Sequence, residues 1–115
     1  MMATHRIRLR KPWASQRTAA AVCWRRRFGR PTGLGAADRL WIVVENLPEA
    51  ASVELNGVLL GALGGGTACG RFEVTGRLDA RNELLLRLQT PGDAGPPSSG
   101  NPPGDISIEI QSPSP

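Results

Sequence analysis

The sequence predicts an all-β protein, an antiparallel β-sandwich of about eight short strands. Three observations point there. Apolar residues recur at every second position in most segments, as in "RFEVT" (71–75) and "DISIEI" (105–110). Turn residues interrupt the chain at short intervals, and nothing reads as a long helix. With 115 residues, a single domain is expected, because two would each be too small to bury a core.

The elements follow in chain order. Arg6–Lys11 is the first candidate strand, with Ile7 and Leu9 alternating with Arg6, Arg8 and Arg10. Ala21–Phe28 follows, where Val22, Trp24 and Phe28 alternate with Cys23, Arg25 and Arg27. Arg39–Asn46 is apolar on both faces from Leu40 to Val44, which suits a central strand. Ser52–Asn56 and Val58–Gly61 flank Asn56-Gly57, the favoured pair for a two-residue type I′ turn, in which both residues need a positive φ. That turn sets Leu55 opposite Val58 and defines the hairpin.

Arg71–Thr75 turns Phe72 and Val74 to one side. In Glu83–Gln89, Leu84, Leu86 and Leu88 oppose Leu85, Arg87 and Gln89. Asp105–Ile110 closes the set with three isoleucines on one face. Strands with one apolar face each must bury those faces together, and two packed sheets do so within this length. The domain is assigned to residues 1–111, with a Pro/Gly/Ser-rich loop at 90–104. Residues 112–115 are expected to form a disordered tail.

Charge is divided unevenly. Residues 1–39 hold 10 Lys and Arg against 1 acid, Asp38, whereas residues 40–115 hold 4 Arg against 9 acids. Such a split can mark a nucleic-acid arm or a targeting peptide, and it can also arise when a basic sheet face lies against an acidic one. The period-two stretches inside the basic segment argue for folded structure, since a presequence should be an amphipathic helix. Cys23 and Cys69 are far apart with no CxxC pair, which suits two thiols in a reducing cytosol. No apolar run approaches the length of a membrane span. The expectation is a mature cytoplasmic domain without membrane contact.

Chemistry-bearing patterns are sparse. Gly61 to Gly66 has the spacing of a phosphate loop, but Thr67 stands where the lysine belongs. Gly33-Leu-Gly35 lacks the third glycine of a dinucleotide fingerprint. The single histidine, His5, precedes the first candidate strand and has no evident partner for nucleophilic catalysis. A histidine-based metal site is excluded by count, and no metal or cofactor is expected. Glu54, Glu73 and Glu109 read as outward positions, solvated or paired with arginine. Three Trp, two Phe and no Tyr supply too few stacking faces for a nucleic-acid platform, and Glu109 would neutralise part of an arginine patch if the first and last strands were neighbours. For a sugar, an aromatic face and polar groups are needed. Trp13 is the tryptophan placed to be loop-exposed, while Trp24 and Trp41 read as core.

Taken together, "WRRRF" (24–28), "RLWIVVENLPEAASVELNGVLLG" (39–61) and "GRFEVTGRLDARNELLLRL" (70–88) resemble the jelly-roll module of the galactose-binding-like superfamily. The likeness is to the sugar-binding domain of glycoside hydrolase family 2. The matching residues are Arg26 and Phe28; Trp41 to Asn46; Val53, Leu55, Asn56, Gly57 and Gly61; Phe72, Val74 and Thr75; and Leu78, Asn82, Leu84 and Leu86. They cover about two thirds of the chain in order. Arg81 departs from the glycine usual before the final asparagine, and "GALGGGTACG" lacks the aromatic residues of sugar-recognising loops.

The resemblance implies a jelly-roll fold and a stand-alone, non-catalytic module without the separate barrel that carries the catalytic acids of those hydrolases. Carbohydrate binding is the first functional expectation, with Trp13, Arg25 and Arg27 as the contacts. A protein-interaction or scaffold module is the alternative, pairing through the side bearing Leu85 or through the apolar Trp41 strand. A basic nucleic-acid-binding domain stands third.

Overall fold

The computed structural model describes residues 2–10, 13–17, 21–47, 50–64, 69–89 and 104–113. Nine strands run through them: β1 (Met2–Arg8), β2 (Ala14–Arg17), β3 (Ala21–Gly29), β4 (Arg39–Glu45), β5 (Ala51–Leu55), β6 (Val58–Leu63), β7 (Cys69–Glu73), β8 (Arg81–Gln89) and β9 (Asp105–Pro113). There is no helix among the described residues, hence none long and apolar enough to cross a membrane.

The strands form two sheets, ordered β1-β9-β4-β7 and β2-β3-β8-β5-β6, and every pairing among the described residues is antiparallel. The all-β sandwich expected from the sequence is therefore present, with one strand more than the eight candidates. That strand is β2, whose residues "ASQR" carry no apolar alternation and gain their geometry by pairing with Val22–Arg25 of β3. Several boundaries also differ. β1 begins at Met2, so His5 lies inside the strand opposite Ile110. β7 covers Cys69–Glu73, leaving Thr75 in a turn. β9 continues through Ser112 to Pro113, two residues past the end assigned to the domain. Residues 90–103, most of the predicted Pro/Gly/Ser-rich loop, lie outside the described residues, as do 65–68 and the final 114–115.

Period two sorts the side chains. Val22 and Trp24 of β3, Val53 and Leu55 of β5, and Leu84, Leu86 and Leu88 of β8 line the inner face of the five-stranded sheet. Leu40, Ile42 and Val44 of β4 and Ile106, Ile108 and Ile110 of β9 oppose them from the four-stranded sheet. Each fully buried aliphatic side chain contributes roughly 1.5–3 kcal/mol relative to exposure, so these two layers are the main source of stability. β4 lies between β9 and β7, which accounts for its apolar character on both faces. Its outward Val43 is buried as well.

The Asn56-Gly57 turn has φ of 52° and 83°, as type I′ requires, and Leu55 faces Val58. A bulge follows: Val53 pairs with Gly61 but Glu54 with Leu59, so Leu60 is the extra residue. Gly61 then sits under the Phe72 ring, where an added Cβ would lie 2.5 Å from the ring edge. The glycine lets the two sheets approach.

Candidate functional site

The antiparallel register of β3 and β8 pairs Arg27 with Glu83, Arg25 with Leu85 and Phe28 with Asn82. Arg25 and Arg27 therefore leave the outer face of the sheet on the same side as Glu83, and both converge on it. Arg25 Nη1 reaches Glu83 Oε1 at 3.5 Å, and Arg27 Nε reaches Oε2 at 3.7 Å. These are long, loose contacts for ion pairs. The Arg27 side chain is 90% exposed.

The hairpin turn docks beside them. Asn56 donates its backbone N–H to the Glu83 carbonyl at 2.9 Å and accepts the Glu83 N–H on Oδ1 at 2.8 Å. Its Nδ2 donates to Asn82 Oδ1 at 3.0 Å. Asn82 is 3% exposed and is itself fully engaged: Oδ1 also accepts the Asp79 N–H, and Nδ2 donates to the Asp79 and Phe28 carbonyls. The asparagine of the hairpin motif and the asparagine of the late strand motif thus hold each other.

Between these groups runs a two-lobed groove. The smaller lobe, 390 Å³, is lined by Trp13, Ala14, Arg25, Arg27 and Glu83. The larger, 670 Å³, shares Arg27 and Glu83 and adds Phe28, Asn56, Arg81 and Asn82 among its walls. All three residues expected from the sequence to contact a ligand, Trp13, Arg25 and Arg27, border one lobe.

Trp13 differs from its expected role. It is 8% exposed, packed in the core cluster, with Nε1 donating to the Leu9 carbonyl at 2.9 Å. β1 and β2 belong to different sheets, and the indole, just before β2, packs into the core cluster between them. It offers the groove a rim and no open ring face. Glu83, Arg81, Asn82 and Phe28 were absent from the expected contacts. Glu83 becomes visible as a partner only when the β3–β8 register is known. The asparagine turn, read from the sequence as the residue pair that defines the hairpin, forms one wall of the larger lobe.

The other tryptophans divide. Trp24 is core, as expected. Trp41 is half-buried on the outer face of the four-stranded sheet, where the Arg71 guanidinium lies 5.0 Å from its ring centroid. Beside it Glu109, only 4% exposed, takes Arg71 Nη2 at 2.8 Å, Arg6 Nη2 at 3.1 Å and Gln111 Nε2 at 3.1 Å. Arg6 also reaches Glu45 at 2.9 Å. Arg6 is therefore engaged by two carboxylates on this face. Burial alone would raise the pKa of Glu109, but the hydrogen bonds from Gln111 and Arg6 and the charges of Arg71 and Arg6 outweigh it, and the net shift is downward.

Neither Leu85, half-buried among β3 and β5 neighbours, nor the covered Trp41 strand presents a bare apolar face. Among the described residues, the large exposed hydrophobics are Val58 and Leu59, at the start of edge strand β6. Cys23 is buried and Cys69 exposed, both as free thiols, and no cluster of metal-ligating side chains occurs among the described residues.

Sandwich and groove together define a small β-sandwich module with a polar cleft at one sheet surface. No family model matches the chain, and no curated protein does. Solved structures do. The β-glucuronidase of Bifidobacterium dentium complexed with coumarin-3-O-glucuronide is similar at 23% identity and a TM-score of 0.60, over 83% of this chain and 21% of that one. The β-D-glucuronidase of Dictyoglomus thermophilum superposes with a TM-score of 0.70 at 9% identity, over 96% of this chain and 28% of that one. A putative β-galactosidase from Bacteroides fragilis gives 0.58 at 20% identity, over 81% and 15%. Another neighbour is a β-glucuronidase from glycoside hydrolase family 2. At these identities the likeness is one of fold, and at that level it bears out the resemblance carried by the sequence motifs. The chain spans about a fifth of the length of the first of these enzymes.

Proposed function

We propose that this chain acts as a non-catalytic carbohydrate-binding module whose ligand lies in the groove over β3 and β8. The observation that carries the reading is convergence. Arg25, Arg27 and Glu83, hydrogen-bonding groups of both kinds, face one open cleft of saccharide size, with half-buried Phe28 supplying an apolar wall. Polar groups around an apolar wall suit a sugar, which presents hydroxyls at its rim and C–H groups on its ring face. Hydrolysis is not supported. Glycosidases use a pair of carboxylates on either side of the bond, and Glu83 is the single acid among the described residues lining the groove.

The alternative, an interaction role, would draw on Val58 and Leu59 of the β6 edge. Two side chains make a smaller case than a groove that gathers three expected contacts. Calorimetric titration with a panel of neutral and acidic methyl glycosides tests the proposal. At least one should bind, and Arg25→Ala with Arg27→Ala should weaken it about tenfold or more without shifting the unfolding midpoint. Absence of heat across the panel would reject the binding claim.

A further inference from the structure

We infer that the groove selects a saccharide bearing a carboxylate, a uronic acid, held between Arg27 and Arg81; this rests on the carbohydrate reading above. The neutral amides in the cleft are spoken for. Asn56 spends Oδ1 on the Glu83 N–H and Nδ2 on Asn82. Asn82 spends Oδ1 on Asn56 and Asp79, and Nδ2 on two carbonyls. A neutral sugar normally relies on such amides to read its hydroxyls. What the groove has left is charge: Arg25, Arg27 and Arg81 against Glu83 alone.

Register places these groups well. Arg81 and Glu83 are two residues apart on β8, on one face, and Arg27 of β3 stands directly opposite Glu83. Arg27 is thus diagonal to Arg81, at about 7–8 Å between backbones, a span that two long guanidinium side chains close around one carboxylate. Glu83 already demonstrates the mode of capture, drawing Arg25 to one oxygen and Arg27 to the other. Each guanidinium has five N–H donors, so Arg27 retains donors for a second carboxylate. Arg81 is exposed and has no acidic partner among the described residues. Net positive charge in a cleft with a half-buried aromatic wall favours an anionic ring over a neutral one.

The test pairs methyl β-D-glucuronide with methyl β-D-glucoside, which differ at the carboxylate, and adds sodium acetate as a free carboxylate. The intact chain should bind the glucuronide at least about tenfold more tightly than the glucoside, and acetate not measurably. Arg27→Gln with Arg81→Gln should bring the two sugars to equal affinity. Glu83→Gln should tighten the glucuronide, since it removes the competing carboxylate; a purely structural glutamate would not do so. Equal affinity for glucoside and glucuronide in the intact chain overturns the inference and leaves the carbohydrate reading standing. Failure of both sugars overturns the inference, and the carbohydrate reading falls with it only when the wider panel of glycosides is silent as well. Acetate binding as tightly as the glucuronide identifies a general anion site and overturns the inference.

Discussion

Gly61 shows how much one absent side chain decides. Its Cα faces inward between Val53 and Phe72, and a Cβ there would meet the ring at 2.5 Å. Backbone strain is not the reason, since it lies in a regular strand beyond the bulge. Gly61→Ala is expected to cost about 1–3 kcal/mol, as overpacking does. Phe72→Leu in the same chain should recover part of that loss, a non-additivity that urea unfolding of both single variants and the double variant will measure. Residue by residue, the sequence was informative about which side chains are apolar and poor on what covers them. Trp13 looked exposed because it follows a strand, yet it is buried in the core cluster among side chains of other strands. Glu109 alternates with isoleucines and so reads as outward, and outward it is, but Arg6 of neighbouring β1 and Arg71, reaching across β4 from β7, roof it. Neither outcome follows from spacing, because both depend on neighbours distant in sequence.

At the scale of elements, the β5–β6 hairpin is held twice, by its own turn and by its grip on β8. Separating the two is straightforward. Asn56→Gly keeps the positive φ and removes the side chain, so it should cost about 1–2 kcal/mol from the bonds to Glu83 and Asn82 alone. Asn56→Ala removes the same bonds and adds a left-handed penalty of about 1 kcal/mol, so it should be the less stable of the pair in denaturant titrations. Equal stability would mean that the turn tolerates an ordinary side chain. Eight of the nine strands were legible because alternation marks a strand that is buried on one face. β2 was not, since an edge strand without an apolar face owes its existence to the partner it pairs with. The groove was half legible for a similar reason. Arg25 and Arg27 are neighbours in sequence, whereas Glu83 and Arg81 join them only through register.

For the whole molecule, the division of charge along the chain becomes complementarity across it. The chain crosses between sheets repeatedly, so the basic first third is laid beside the acidic remainder. β1 is paired with β9, which brings Arg6 to Glu109, and β3 is paired with β8, which brings Arg25 and Arg27 to Glu83. Stability should carry the mark of this in its pH dependence. The Glu109 carboxyl is held below its ordinary pKa in the folded chain, so the folded state binds its proton less readily than the unfolded one. Its contribution is therefore complete above the usual carboxylate range and is lost as pH falls through the lowered folded value. Glu109→Gln is expected to destabilise the protein by about 1 kcal/mol at pH 7, a modest figure because its arginine partners are partly exposed. The gap should close as pH falls through the acid range. Denaturant midpoints of the two chains between pH 7 and 3 will show this, and parallel curves would assign the acid sensitivity to other groups.

The pairing of β1 with β9 also has a mechanical side. Met2 stands opposite Pro113 at the same end of one antiparallel ladder. A pull applied to those two positions would load the rungs one after another, as a zipper opens, and never all together in shear. The seven pairs from Met2–Pro113 to Arg8–Ser107 would part in sequence while the inner layers stay packed. By this geometry the sandwich resists heat and denaturant through its core, yet under tension it yields first along the seam where its first and last strands meet.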